Sequence, residues 1–574
     1  VMDALRVCIL GLLCTCQIIQ GADDTYSAVV VEYSPAIDPS VDADTNILKN
    51  VANYVQFINK ANIEMMADII VFPEIGLKGY YNQPAYLEIP DPLDKVALCA
   101  HNTTYEAPLT QLSCAARSTS TYLVVNLFER FYNTSLQRAF FFNTDVVFDR
   151  SGVVITRYRK IHLFGEKGRS PSPDKELGYF DTDFGVRFGL MICFDIVFKD
   201  PGLVLAKMYN ISHFILTSGW FSEMPFLTAI QEQWYWSYTS DSVLLAAGYN
   251  LPSVGSSGSG IYLGRQGLAA YKMMETKGSF MIHADLPKQT NLRGTSSFEG
   301  LSSIEGAATE SLLMPGVSNT VNQEQSSPSQ IKMKRDFLDV YTTDQITLPA
   351  ELNAGLFKES GAPVHLKIEK QICQNSLCCN FSVDITTVFN TSRQNITRGD
   401  DYSQLYYRLA VFDGVRNYDD FATGGLQNCA IIPCVNTNIQ SCGLRSDDPS
   451  AIPNTHLGSF YQTEFIFNSI SIAGNFSSNN SFVGPNALLQ GTGDNFGSLL
   501  LSNEFTFNNN NDLTFFQTVT PIQDLVVASI YGRLFSRDGQ TYTGSPKERS
   551  SGLYVYVDIF LLITALIMLK YSLT

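Results

Sequence analysis

At 574 residues the chain exceeds one ordinary domain, and 45% apolar with 12% aromatic residues supply large cores, which excludes a disordered protein. A formal net charge of −16 excludes a general attraction for nucleic acid or for an anionic lipid surface.

Residues 1–22 read as a signal peptide. Arg6 supplies a thin positive region, Val7 to Ile19 is almost wholly apolar, and small residues at Gly21 and Ala22 precede an acidic start. Eight Asn-x-Ser/Thr sequons fit the same secretory route, at Asn102, Asn133, Asn210, Asn380, Asn390, Asn395, Asn475 and Asn479.

From 23 to 287 β-type runs alternate with amphipathic helical stretches. Strands are expected at Ala28 to Val31, Ile69 to Phe72, Tyr122 to Leu127, Ala139 to Phe148, Gly185 to Cys193, His213 to Thr217 and Ser242 to Ala247. Helical spacing marks Asn46 to Asn62, Pro201 to Tyr209 and Thr228 to Tyr238. This alternation predicts an α/β domain with a buried sheet core. The Gly/Ser run from Gly255 to Gly260 fits neither a nucleophile elbow nor a phosphate loop and reads as a turn.

Residues 288–336 are rich in Thr, Ser, Gly and Gln and read as a linker. From 337 to 543 short alternating runs such as Val364 to Ile368, Leu405 to Phe412, Ser459 to Phe467 and Leu525 to Phe535 predict a β-rich domain. Residues 544–574 end in an apolar stretch from Leu553 to Leu569 that contains Asp558. A membrane-spanning helix tolerates that charge poorly, so the tail reads as a lipid-anchor signal attached near Gly544 or Ser550 to Gly552.

Twelve cysteines less the three of the leader leave an odd nine, so an oxidising compartment leaves at least one free thiol. Six crowd between Cys373 and Cys442, and disulfides suit them better than zinc, since no His is interleaved. Cys99 and Cys114 form a plausible local pair, which leaves Cys193.

Three β-type runs each deliver one reactive side chain at the C-terminal end: Glu74, Lys160 and Cys193. Ligand crevices of α/β sheets form at such ends, so residues far apart in sequence converge there. Their types suit nucleophilic catalysis. Cys193 attacks as a thiolate, Glu74 accepts its proton, and Lys160 with the backbone N–H of Phe194 stabilises an oxyanion. No metal and no organic cofactor is required.

These residues resemble the Glu-Lys-Cys triad of the nitrilase superfamily. The words are Val-Phe-Pro-Glu-Ile-Gly-Leu (71–77), Tyr-Arg-Lys-Ile-His-Leu-Phe-Gly-Glu (158–166) and Ile-Cys-Phe-Asp-Ile-Val-Phe-Lys-Asp-Pro (192–201). Glu166 matches a further Glu that orients the site in that superfamily. Cys-Phe-Asp-Ile at 193–196, the pocket word at 217–227 and the late cysteine words narrow the resemblance to the vanin and biotinidase branch. It implies a nitrilase-like α-β-β-α sandwich followed by a β-rich vanin-type C-terminal domain. It also implies an extracellular hydrolase of linear amides, at the cell surface through a lipid anchor.

Departures cluster where substrate is read. Ile75 stands where the family has Asp, Ser222 where it has Asn, and Phe226 where vanins have His, so these three and Trp220 are expected to line the substrate pocket. The expected partner is a small-molecule amide, not nucleic acid. The expected reaction is pantetheine to pantothenate and cysteamine through a Cys thioester. The alternatives are biotinidase-like cleavage of biotinyl amides and a catalytically silent surface protein.

Overall fold

The computed structural model describes residues 24–79, 85–100, 105–173, 175–289, 331–347, 363–390, 406–435, 437–444, 462–491, 495–510 and 513–544. The expected signal peptide, most of the linker, the anchor tail and the sequons Asn102 and Asn395 lie outside them, as does the side chain of Asn390.

The N-terminal half opens with β1 (Thr25–Glu32), α1 (Ala43–Met65), β2 (Ile69–Val71), α2 (Ala107–Thr119), β3 (Tyr122–Asn133), β4 (Arg138–Phe148) and β5 (Val154–Arg159). It continues with β6 (Tyr179–Asp181), β7 (Arg187–Ile192), α3 (Gly202–Met208), β8 (His213–Ser218), β9 (Glu223–Met224) and α4 (Ala229–Ser240). β10 (Val243–Gly248), β11 (Ser259–Leu263), β12 (Leu268–Lys272) and β13 (Phe280–Pro287) complete it.

Two six-stranded sheets result, in the orders β13-β1-β2-β3-β4-β5 and β12-β11-β10-β8-β7-β6. The central strands β1, β2 and β3 run parallel, as do β7, β8 and β10, while the outer strands pair antiparallel. Period-two alternation decides what each face touches. Ala28 and Val30 of β1 point into a core shared with Leu190, Ile215 and Leu245 of the other sheet. Val29 and Val31 point the opposite way, into a core with Ile47, Val51 and Ile58 of α1 and Leu109 and Leu112 of α2. The far face of the second sheet packs under α3 and α4. Four layers follow, α-β-β-α, as expected.

Capping fixes the longest helix: Asp42 accepts the Thr45 N–H at 2.7 Å at its start, and Met66 closes it in a left-handed conformation. The sequence reading missed α2. Ser, Thr and Arg interrupt its apolar stripe of Leu109, Leu112, Ala115 and Ala116.

The C-terminal half is a β sandwich. β14 (Lys334–Arg335) leads in, followed by β15 (Thr342–Gln345), β16 (Val364–Gln374), β17 (Leu377–Asn390), β18 (Tyr406–Tyr418) and β19 (Ala422–Cys434). Then come β20 (Gln462–Gly474), β21 (Ser481–Gln490), β22 (Gly497–Ser498), β23 (Phe505–Asn509), β24 (Thr514–Thr518) and β25 (Leu525–Leu534). They form sheets β15-β18-β19-β25-β21-β22 and β16-β17-β20-β24-β23. The bridge Cys379–Cys429 joins β17 of one sheet to β19 of the other, while Cys373–Cys378 pins the β16–β17 hairpin. With Cys434–Cys442 all six late cysteines are consumed, and Cys99–Cys114 takes the local pair. Cys193 is the one free thiol of the nine.

The two halves share one core. α4 lies against β21, with Gln231 donating to Asn486 at 2.8 Å and Asn486 donating to the Phe226 carbonyl at 2.9 Å. The last residues of the expected linker are part of this junction. Ile331 is buried, and β14 pairs parallel with β9.

Candidate active site

Glu74 follows β2 by three residues, Lys160 follows β5 directly, and Cys193 follows β7 directly. The first two strands belong to one sheet and the third to the other, so the site forms where the C-terminal edges of the two sheets face each other.

All three side chains are buried. Lys160 Nζ donates to Glu74 Oε1 at 2.8 Å and to Glu166 Oε1 at 2.7 Å. Asn143 Nδ2 donates to the same two oxygens, at 2.7 and 3.2 Å. The other oxygen of Glu74 accepts the Gly219 N–H at 2.8 Å, and the other oxygen of Glu166 accepts the Phe164 N–H. Each carboxylate oxygen therefore has a partner, as burial of charge requires.

Burial works against the Lys160 ammonium, but the carboxylates of Glu166 and Glu74 outweigh it and hold its pKa well above the ordinary lysine value. Burial likewise pushes Glu166 up, yet the Lys160 charge and the hydrogen bonds bring it below the usual carboxylate value. The Cys193 thiol is pushed well up, first by burial and then by the Glu74 charge, against the pull of Lys160 and of the Gly219 N–H and Ser218 hydroxyl. Its surroundings thus favour the neutral thiol at Cys193.

Backbone geometry presents the thiol. Cys193 sits at φ 46°, a left-handed conformation that non-glycine residues adopt at a cost of about 1–3 kcal/mol. Asp195 holds the tight turn after it. Its carboxylate accepts the Ile192 N–H at 3.0 Å, the Tyr158 hydroxyl at 2.7 Å and the His162 N–H at 2.8 Å. Burial lifts its pKa to about 7 despite these donors.

Several contributors escaped the sequence reading. Asn143 and Asp145 lie two apart on β4 and are buried. Asn126 links them, donating to Asn143 at 2.8 Å and to Asp145 at 3.0 Å, and its own oxygen accepts the Ile75 N–H at 2.9 Å. Polar residues punctuating an apolar strand at period two were the available signal.

The expected pocket residues divide. Ile75, in a left-handed conformation, lines a small cavity with Leu77, Lys78, Ala85 and Phe128 behind Glu74. Trp220 is partly buried beside the site, its indole N–H donating to the Leu227 carbonyl at 2.9 Å. Ser222 and Phe226 are placed elsewhere. The Ser222 hydroxyl accepts the Ala229 N–H at 3.2 Å at the start of α4. Phe226 is fully buried in the core between the two halves, stacked on Tyr341 and tilted against Tyr531. Phe194, after the thiol, is buried against Phe164, Phe198 and Tyr418. The Gly/Ser turn cradles a buried carboxylate: Glu32 accepts from Asn250, Ser257, the Gly258 N–H and Ser259 at 2.6–3.0 Å. Of the sequons, Asn210, Asn380, Asn475 and Asn479 are exposed and Asn133 is half-buried.

Paired sheets carrying Glu, Lys and Cys at their strand ends define a hydrolase of carbon–nitrogen bonds other than peptide bonds, and residues 35–241 match the carbon–nitrogen hydrolase family. Residues 346–538 match the vanin C-terminal domain. The chain is 38% identical over 433 residues to Vanin-like protein 1 of Drosophila melanogaster, covering 73% of this chain and 70% of that protein. It belongs to the vanin family. It is also 26% identical to a Pantetheinase of Canis lupus familiaris, covering 94% of each chain. Identity to a Biotinidase of Mus musculus is 25%, covering 89% of this chain and 93% of the other.

Proposed function

We propose that the chain cleaves linear amides through a thioester on Cys193, with pantetheine, giving pantothenate and cysteamine, as the leading substrate. The observation that carries this reading is the buried Lys160 bridge between Glu74 and Glu166 beside the one free thiol among the described residues.

In this mechanism Glu74 takes the thiol proton as Sγ bonds to the amide carbon. The carbonyl oxygen becomes an oxyanion held by Lys160 and the Phe194 N–H. Glu74 then gives its proton to the departing amine nitrogen as the C–N bond breaks, leaving the thioester. In the second half Glu74 takes a proton from water, which attacks the thioester carbon, and the proton returns to sulfur as the acid leaves. Glu166 holds Lys160 in place and keeps it charged.

Expected outcomes follow for Cys193→Ala. Release of pantothenate from pantetheine falls to background while the fold is kept, and turnover surviving in that variant overturns the mechanism. Biotinyl-lysine is the second reading, favoured because relatives named Biotinidase match nearly as well as those named Pantetheinase. Side-by-side kcat/KM values on the two substrates decide between them.

The working place of the enzyme is outside the cytosol, at the cell surface through a C-terminal lipid anchor. Four disulfides support an oxidising compartment. Among the described residues no helix is long and apolar enough to cross a membrane.

A further inference from the structure

The β18–β19 hairpin of the C-terminal domain ends in a tight turn, Asp419-Asp420-Phe421. Asp419 and Asp420 both adopt positive φ, at 51° and 63°, and the Phe421 N–H donates to the Tyr418 carbonyl at 3.0 Å. Asn417 and Asp420 exchange two further hydrogen bonds, at 2.6 and 3.0 Å, so the tip is a rigid support. Arg416 fastens the hairpin to the N-terminal half by pairing with Glu223 of β9, and it also pairs with Asp336 at 3.0 Å. Asp419 pairs with Lys334 of β14, the strand that lies on β9.

What the tip carries is a large aromatic side chain that is 50% exposed. Its ring lies 5.0 Å from that of Phe164, on the segment between Lys160 and Glu166. The approach is close enough that a Cβ on Gly165 would meet Phe421 at 2.3 Å. Phe164 in turn touches Phe194, next to the thiol, at 4.9 Å, and Phe221, next to Trp220, at 6.3 Å. One aromatic wall thus runs from Cys193 to the surface, and its outermost member comes from the other domain. One face of the Phe421 ring packs on Phe164 and Gly165, and the rest of it faces solvent in line with that wall.

We propose that Phe421 is a specificity residue: it forms the outer wall of the substrate pocket and favours amides whose chain extends past Phe164. The proposal rests on the reading of Cys193 as the acylated residue. A short amide is held only near the thiol, whereas an extended one covers the exposed face of the Phe421 ring and gains its apolar contact.

The test compares wild type with Phe421→Ala and Phe421→Trp on pantetheine, biotinyl-lysine and propionamide. For Phe421→Ala the ratio of kcat/KM, extended over short amide, falls about tenfold, with the change in KM rather than kcat, and Phe421→Trp restores it. An unchanged ratio, or an equal fall in kcat on all substrates, overturns the proposal; the latter would make the ring a prop for the Glu166 segment. A parallel arm measures inactivation of Cys193 by iodoacetamide and by a chloroacetamide bearing a long acyl chain. If no amide is turned over, the amidase reading fails alone. The ratio of the two inactivation constants then decides the role of Phe421 by the same criterion.

Discussion

Two buried clusters in this molecule have the same charge pattern. Lys160 lies between Glu74 and Glu166, and Arg416 lies between Glu223 and Asp336. Both cations are almost fully buried, and both bridge segments distant in sequence. Charge pattern and burial therefore do not distinguish a reaction centre from a clamp. The difference lies in the cation and its neighbours. Arg416 spends its planar fork on two carboxylates and lays its guanidinium over the Tyr418 ring at 4.8 Å. Lys160 is a compact point charge whose field also reaches the Cys193 sulfur. An ammonium beside a thiol stabilises charge that appears during a reaction, while a fork locked on both sides serves position.

The sharpest way to break this comparison is to remove each cation. Lys160→Ala takes away the oxyanion partner, and kcat on any accepted amide falls about 10³-fold or more. Lys160→Arg rescues little, because a planar fork cannot take the place of a compact ammonium between two carboxylates and a thiol. Steady-state rates under saturating substrate check this, and a variant within tenfold of wild type contradicts the assignment.

Arg416→Ala attacks the other cluster. It leaves Glu223 and Asp336 buried without their counter-ion, at a cost of about 3–5 kcal/mol, and loosens the hairpin that carries Phe421. A lowered midpoint in urea measures the loss. The thioester chemistry itself persists in the folded fraction, so a dead but fully stable Arg416→Ala protein would erase the distinction between the clusters.

The fold and the convergence of Glu74, Lys160 and Cys193 were readable from the sequence because both rest on local patterns. Short β-type runs mark β2, β5 and β7, and a polar or thiol side chain stands just past each one. Cysteine parity isolated Cys193 for an equally simple reason: eight partners pair off and one remains. The pocket was harder, since adjacency along the chain does not ensure adjacency in space. Trp220 stays beside the site, but the chain turns into α4 and carries Ser222 to a helix start and Phe226 into the core between domains. Phe421 was out of reach, because a domain-spanning contact leaves no local periodicity. Asn143 and Asp145 were hidden differently, as polar residues in a strand that reads as half-solvated until a second sheet covers it.

Asp145 offers the finest version of the comparison, a buried acid next to the reactive cluster with no cation of its own. Its Oδ1 accepts from Asn126 at 3.0 Å and from Thr217 at 2.8 Å, while Oδ2 has no partner. Burial raises its pKa to about 8, with the Glu74 and Asp195 charges adding to the shift. At neutral pH the folded protein therefore holds a proton that an unfolded aspartate, ordinarily near 3.8, has released. Stability from this group is fully present below pH 4 and is lost as pH rises from there toward 8, by up to about 1.4 kcal/mol per unit. Asp145→Asn keeps the accepting oxygen and removes the titration. The variant is expected to match wild type near pH 4 and to exceed it progressively from there toward pH 8 in thermal melts. Parallel melting curves for the two proteins across that range would show instead that Asp145 is charged in the folded state.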